Sequence, residues 1–453
     1  MPTIEGIIFV TLALYFFARH PDRLFPLLVI STVFQASSII SSGPVGIQPY
    51  YFVAFAFILN AFVRRPRMLI RNSRAATPFL ALTAFLILGV TSALVLPILF
   101  AGVPVYDPHL SIDAGLLIRP PLHLQMENLS QAVLLIINVL VVAAAAANTS
   151  SVELVHKAFL AALWLIVGIV LVQCIFFAAG IHFPDFIFAN NPAYAVAAQS
   201  DQQFRPQGPF SEPSMAGAAL AAYSGAFLAM YLDRRRGIAA GALASLTCLL
   251  VASSSALAAL AAVVLLLAAS QPLIRWPCYI RLDRVRRLSI FLITGVCCAS
   301  LLLIPMIRSI MIAQTVNKSS SVSAVARFAA DLYALNLVAG THGLGVGLGS
   351  NRPSSFITSV LSQIGVAGSL LLLIVVIRAY SSIPRELRWI RWGGLGLMLS
   401  MCAGIPDLSY PLFWVMLAMA VQSKASRLHQ PRGVNDPSHS AIPTMSPVRT
   451  APT

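Results

Sequence analysis

Apolar residues fall in long runs, each closed by a short cluster of Arg, Pro, Asn or Asp, from Ile4 to about Val421. The runs approach the ~20 residues that an α-helix needs to cross a bilayer. They predict thirteen candidate spans, at about 4–18, 24–41, 48–63, 77–100, 129–148, 158–179, 214–232, 237–252, 255–270, 288–307, 355–378, 393–406 and 409–422. The first span and the pairs at 237–270 and 393–422 are short or closely spaced. The expected fold is therefore an all-α, polytopic integral membrane protein of about 12–13 transmembrane helices. Met1 to Glu5 holds no basic residue and no small-residue cleavage site follows, so the first span is expected to be retained. One further stretch has helical spacing without the length of a span. From Ser321 to Val338 the residues Val325, Phe328, Leu332 and Leu335 predict an amphipathic helix at the surface, with Arg327 and Asp331 one turn apart on its polar side. The segment 423–453 is rich in Pro, Ser and Thr and is expected to be a disordered tail behind one transmembrane unit at 1–422.

Charge orients these spans. Of the 30 Lys+Arg, all but Arg119, Arg205, Arg308, Lys318, Arg327 and Arg352 fall in alternate loops or in the tail. The positive-inside rule makes that rich set cytoplasmic, with the C-terminus inside and the N-terminus outside. The longer loops, at about 101–128, 180–213 and 308–354, then lie on the external face. The net charge of +15 is accounted for by topology, and no nucleic-acid partner is implied. Composition closes off the soluble alternative: 58% of residues are hydrophobic and 10% are charged, against roughly 25% charged in soluble domains. The six cysteines lie in or beside apolar runs with no CxxC spacing, so neither disulfides nor a structural zinc are expected, and no cofactor is implied.

The external loops hold the candidate chemistry. Arg205 and Glu212 stand in Phe204-Arg-Pro-Gln-Gly-Pro-Phe-Ser-Glu-Pro-Ser214, directly before a span. Ser211 and Glu212 suit a helix N-terminus, where a hydroxyl caps free N–H groups and a carboxylate meets the positive end of the dipole. Glu212 is either such a capping acid or a reactive carboxylate, and Arg205 either an interfacial anchor or an anion ligand. Arg327 is either the partner of Asp331 in a routine i,i+4 pair or a cation held over a cavity. The run Thr341-His-Gly-Leu-Gly-Val-Gly-Leu-Gly-Ser-Asn-Arg-Pro353 brings Gly343, Gly345, Gly347 and Gly349 to the start of another span. Successive N–H groups there suit an anion nest ahead of a helix N-terminus, and Arg352 adds a fork able to hold two phosphate oxygens; the plain alternative is a flexible turn. The spacing is not that of the dinucleotide-binding fingerprint. His342 opens the glycine run and is a weaker candidate base, while Asp407 reads as an interfacial turn residue. No span carries the series of acids and histidines expected of a proton-coupled pump.

Four segments bear a resemblance. "RPQGPFSEPSMAGAAL" resembles the R-x-x-G-x-F-x-E-P-S segment that opens a span in bacterial O-antigen and exopolysaccharide polymerases. "GLGVGLGSNRPSSFITSVLSQIGVAGSLLLL" is similar to the G-x-G-x-G-S-N-R-x-S-S segment of the same group, and "SSSALAALAAVV" and "PDLSYPLFWVMLAMA" resemble its serine-led middle span and its closing span. The resemblance, to the O-antigen ligase/polymerase superfamily, covers about a fifth of the chain directly. Ligases of that group usually carry a His-Asn pair after the glycines; here Asn351-Arg352 follows them, which favours polymerase. What the resemblance implies is a class C membrane glycosyltransferase in the bacterial inner membrane, active at the periplasmic face without a metal. Its substrates would be glycans on undecaprenyl diphosphate, and its surroundings the lipid bilayer, a chain-length regulator and other polysaccharide assembly proteins. Arg205, Arg327, Arg352 and the backbone of Gly345, Gly347 and Gly349 would then hold the diphosphate, with Glu212, or less well His342, serving the acceptor hydroxyl. A lipid A core ligase and a polysaccharide flippase are the rival expectations.

Overall fold

The computed structural model describes residues 2–42, 45–64, 66, 78–108, 112–148, 150–192, 205–234, 236–270 and 322–428. The span expected at 288–307, the loop at 271–287, Arg308, Lys318 and the tail beyond 428 lie outside the described residues. Thirteen α-helices are described, in chain order α1 (Ile4–Arg19), α2 (Leu24–Ser31), α3 (Pro49–Arg64), α4 (Phe79–Leu99), α5 (Met126–Ala145), α6 (Val152–Ala178) and α7 (Pro213–Arg234). They continue with α8 (Ile238–Val251), α9 (Ser254–Ala269), α10 (Val322–Gly340), α11 (Phe356–Ser381), α12 (Arg388–Gly404) and α13 (Pro411–Leu428). Five of them, α4, α5, α6, α7 and α11, are long and apolar enough to cross a membrane, and α3, α8, α9 and α13 are apolar but shorter. The only strands among the described residues are Ser41–Ser42 and Val45–Gly46, an antiparallel pair.

Local signals place the helix starts. The Ser151 hydroxyl accepts from the Leu154 N–H to cap α6, and Pro213 opens α7, where a missing N–H costs nothing. The second expected span is a correction. Helix α2 ends at Ser31, where the Ser31 and Thr32 hydroxyls donate back to the Leu28 and Val29 carbonyls, each at 2.8 Å, and the chain then leaves the helical path. The residues after it are buried but irregular: Asn191 N–H donates to Ala36 O and Ala36 N–H to Pro209 O. The tail expected from 423 begins as helix, since α13 continues to Leu428.

Helix α7 is the central post and packs against α8, α9 and α12. Small residues make this possible. A Cβ on Gly225 would meet Trp392 O at 2.7 Å, and one on Gly396 would meet Ala221 O at 2.6 Å, so the α7 and α12 backbones approach as only small residues allow. Contacts among helix ends and loops join members of the same alternate set. On one side Thr3 N–H donates to Ile39 O and Arg352 N–H to Tyr106 O. On the other, Arg64 donates to Phe17 O, Gln422 to Ser150 O, and Arg388 pairs with Asp233 at 2.6 Å.

Candidate functional site

The site begins at a break in a helix. Within α11, Gly365 takes φ 76° and ψ −177°, and the helix kinks. The carbonyls released there are met by the glycine run: Val346 N–H donates to Ser362 O at 2.7 Å and Gly347 N–H to Gln363 O at 3.0 Å, while Val366 N–H returns to Gly343 O at 2.9 Å. The Gln363 side chain completes the join. Its Oε1 accepts from Gly349 N–H at 2.9 Å, and its Nε2 donates to Asn351 O and to Ser359 Oγ at 2.7 and 2.8 Å. Asn128, buried on α5, donates to Leu348 O and Ser350 Oγ, each at 2.7 Å.

These bonds correct the expectation of an anion nest. The N–H groups of Gly345, Gly347 and Gly349 donate to Thr341 Oγ1, Gln363 O and Gln363 Oε1, so none of the three points at a ligand. Their glycine character has a packing cause instead. Gly347 has φ 107°, and a Cβ there would meet Pro97 Cδ at 2.7 Å and Ser92 O at 2.9 Å on α4. The run is a close-packed hinge post, not a flexible turn.

Helix α10 forms where its spacing predicts. It buries Ala326, Ala330 and Ala334 against the protein and leaves Val325, Phe328, Leu332 and Leu335 exposed. Asp331 is committed to the start of α11: its oxygens accept from Ser354 N–H, Ser354 Oγ, Ser355 N–H and Thr358 Oγ1 at 2.7–3.1 Å. Among the described residues no ion pair joins it to Arg327, so the expected i,i+4 pair is not made. The Arg327 guanidinium instead lies by the end of α12, with Nη1 3.9 Å from the place a Cβ would take on Gly404.

Between these elements lies a cavity of about 110 Å³, walled in part by Glu127, Gly349, Asn351, Arg352, Gln363 and Asp407. Arg352 is anchored by its backbone, and Tyr106 N–H in turn donates to Asn351 Oδ1 at 3.0 Å. Its guanidinium stands 3.9 Å from Glu212 Oε1, with the two side chains 37% and 36% exposed. The other Glu212 oxygen accepts from Ser214 Oγ at 3.0 Å. Ser211 departs from the expected capping role, since its hydroxyl donates to Met215 Sδ. Asp407 faces the same cavity from the turn before α13; its Oδ1 accepts from Ser409 N–H at 2.9 Å and Ser409 Oγ at 2.6 Å.

The structure pairs Arg352 with Glu212, and neither Arg327 nor Arg205 lines the cavity. Arg205 is half-buried on the segment that Gln173 holds from α6 by accepting from the Gln207 and Gly208 N–H groups. His342 is exposed, with φ 53°, and is not on the cavity wall. Arg119 lies over the Tyr333 and Tyr106 rings at 4.3 and 5.6 Å, and the Tyr333 hydroxyl donates to Pro104 O. Burial pushes the Tyr106 phenol up, and Arg119 opposes that shift. Asp407, Gln363, Asn351 and Asn128 were not in the predicted site. The signals for them were present: Gln363 is an amide inside an apolar run, and Asp407 is the acid at the turn of the last span pair. Among the described residues no three His, Cys, Asp or Glu side chains gather as a metal site.

Fold and site define a helical protein with five described helices long and apolar enough to cross a membrane, and a cavity lined by an arginine and two carboxylates. No protein-family model matches the chain, and no curated protein shows significant similarity to it.

Proposed function

We propose that this chain is a bacterial inner-membrane glycosyltransferase that joins undecaprenyl diphosphate-linked oligosaccharide repeat units at the periplasmic face, as an O-antigen or exopolysaccharide polymerase. The observation that carries the reading is the meeting of its two most telling segments. Glu212, from Arg-Pro-Gln-Gly-Pro-Phe-Ser-Glu-Pro-Ser, lies 3.9 Å from Arg352, from Gly-Ser-Asn-Arg-Pro-Ser-Ser, beside one cavity. Segments more than a hundred residues apart in sequence that resemble one family separately are thereby joined in one place.

In the reaction, an acceptor hydroxyl attacks the anomeric carbon of the donor glycan and undecaprenyl diphosphate departs. Negative charge grows on the leaving phosphate oxygen, and a preorganised guanidinium stabilises that charge more in the transition state than in the ground state. Arg352 takes this part, with the Glu212 carboxylate 3.9 Å away to orient it. Arg327 and Arg205 supply further positive charge at the same end of the bundle. The many-span, N-outside topology belongs to the same proposal and rests on the distribution of arginines; the interaction with a chain-length regulator rests on the resemblance alone.

Deletion of the gene tests the class of activity. A polymerase deletion leaves lipid-linked single repeats on the outer face and abolishes long chains. Full-length polymer that accumulates unattached would replace this reading with a ligase, and repeats trapped on the cytoplasmic face would replace it with a flippase. The purified protein, given lipid-linked repeats in detergent with a chelator, should form oligomers and release undecaprenyl diphosphate.

A further inference from the structure

The cavity is lined by charges of both signs: Arg352, Glu127 and, from the turn between α12 and α13, Asp407. Among the described residues no ion pair joins Arg352 to Asp407, so the two groups do not neutralise each other. The two oxygens of Asp407 differ. Oδ1 takes both donors of Ser409, which fixes the carboxylate plane, and among the described residues Oδ2 accepts no hydrogen bond. Glu212 is placed otherwise: Oε1 faces Arg352, Oε2 accepts from Ser214, and the residue is not on the cavity wall.

We infer that Asp407 is the base that takes the acceptor proton, an inference that rests on the transfer reaction proposed above, and that Glu212 positions Arg352. The acceptor O–H bond breaks and its proton goes to Asp407 Oδ2. The freed electron pair forms the new bond to the anomeric carbon, the bond from that carbon to the phosphate oxygen breaks, and its electrons leave with undecaprenyl diphosphate beside Arg352. Asp407 then releases the proton to water, so the carboxylate is regenerated with each transfer. A cavity lined by both a carboxylate and a guanidinium matches the two sites where charge changes in such a step.

The test uses the full chain in detergent and lipid-linked single repeats extracted from cells that lack it. Wild type should show a rate that falls on the acid side of its pH profile. Asp407→Asn should lower turnover by ~10²–10⁴-fold, the usual contribution of a general base, with the acid limb gone and KM little changed. Asp407→Glu should restore part of the rate together with an acid limb. Ser409→Ala, which keeps the carboxylate and the backbone donor but removes the hydroxyl donor to Oδ1, should retain the limb at reduced rate, and it guards against a fold effect in the Asp407 variants. Wild type inactive on these repeats would sink the polymerase reading and this inference together. Active wild type with an unaltered acid limb in Asp407→Asn would overturn the inference alone. Loss of the limb in Glu127→Gln or Glu212→Gln instead would likewise overturn only the assignment of Asp407.

Discussion

Asp331 and Arg352 are ordinary charged residues in the sequence, and their surroundings give them opposite uses. Asp331 commits both oxygens to four donors at the start of α11. Asp331→Ala removes a cap and leaves donors unmatched, so it should cost about 2–3 kcal/mol of stability, read as a lower thermal midpoint in detergent. Arg352 keeps an exposed guanidinium on the cavity wall. Arg352→Lys should leave that midpoint unchanged and still shorten the polymer, because an ammonium does not reproduce the planar fork. Polymer of full length in Arg352→Lys and Arg352→Ala cells would remove the diphosphate role from this side chain. At this scale the sequence was half legible: Arg352 and Glu212 stand out by type and position, whereas Asp331 looked like half of an i,i+4 pair because its true partners lie 23–27 positions away.

Among the elements, the glycine run shows what spacing alone reveals. Four glycines in alternate positions announce positive φ, and the structure gives it to all four, at 82–107°. Whether the N–H groups so exposed face a ligand or a neighbour depends on a kink in α11 that the run precedes, which the one-dimensional pattern does not carry. Gly347→Ala should destabilise by about 2–4 kcal/mol, since left-handed strain adds to overlap with Pro97 and Ser92. Gly343→Ala should cost only the conformational part, ~1–2 kcal/mol, because a Cβ there meets just Val366 Cγ2 at 3.5 Å. Equal losses in the two variants, compared by thermal melting, would refute the packing account. Helix α10 was legible in period but its packed face was not: the alanines, not the large apolar residues, meet the protein. The span at 24–41 failed for a related reason: the residues after Ser31 are largely apolar and buried, as hydropathy reads a span, but their backbone bonds irregularly to Pro209 and Asn191.

For the whole molecule, the uneven arginines and the pairing of loops within each set give one expectation about orientation. With the native cysteines replaced, an impermeant maleimide applied to intact cells should label Leu117→Cys, at a site 88% exposed, and should spare Ser381→Cys, at an exposed site on the opposite end. The reverse pattern would invert the topology. The kink at Gly365 has a consequence for the bundle as a whole. Carbonyls of Ser362 and Gln363 are matched by the N–H groups of Val346 and Gly347; all four residues are buried, and buried backbone groups have no water to fall back on. Releasing the loop would strand them, so loop and helix must open together. Deuterium uptake at the Val346 and Gly347 amides should therefore lag by orders of magnitude behind that of an ordinary surface loop, and keep pace with the interior of α11.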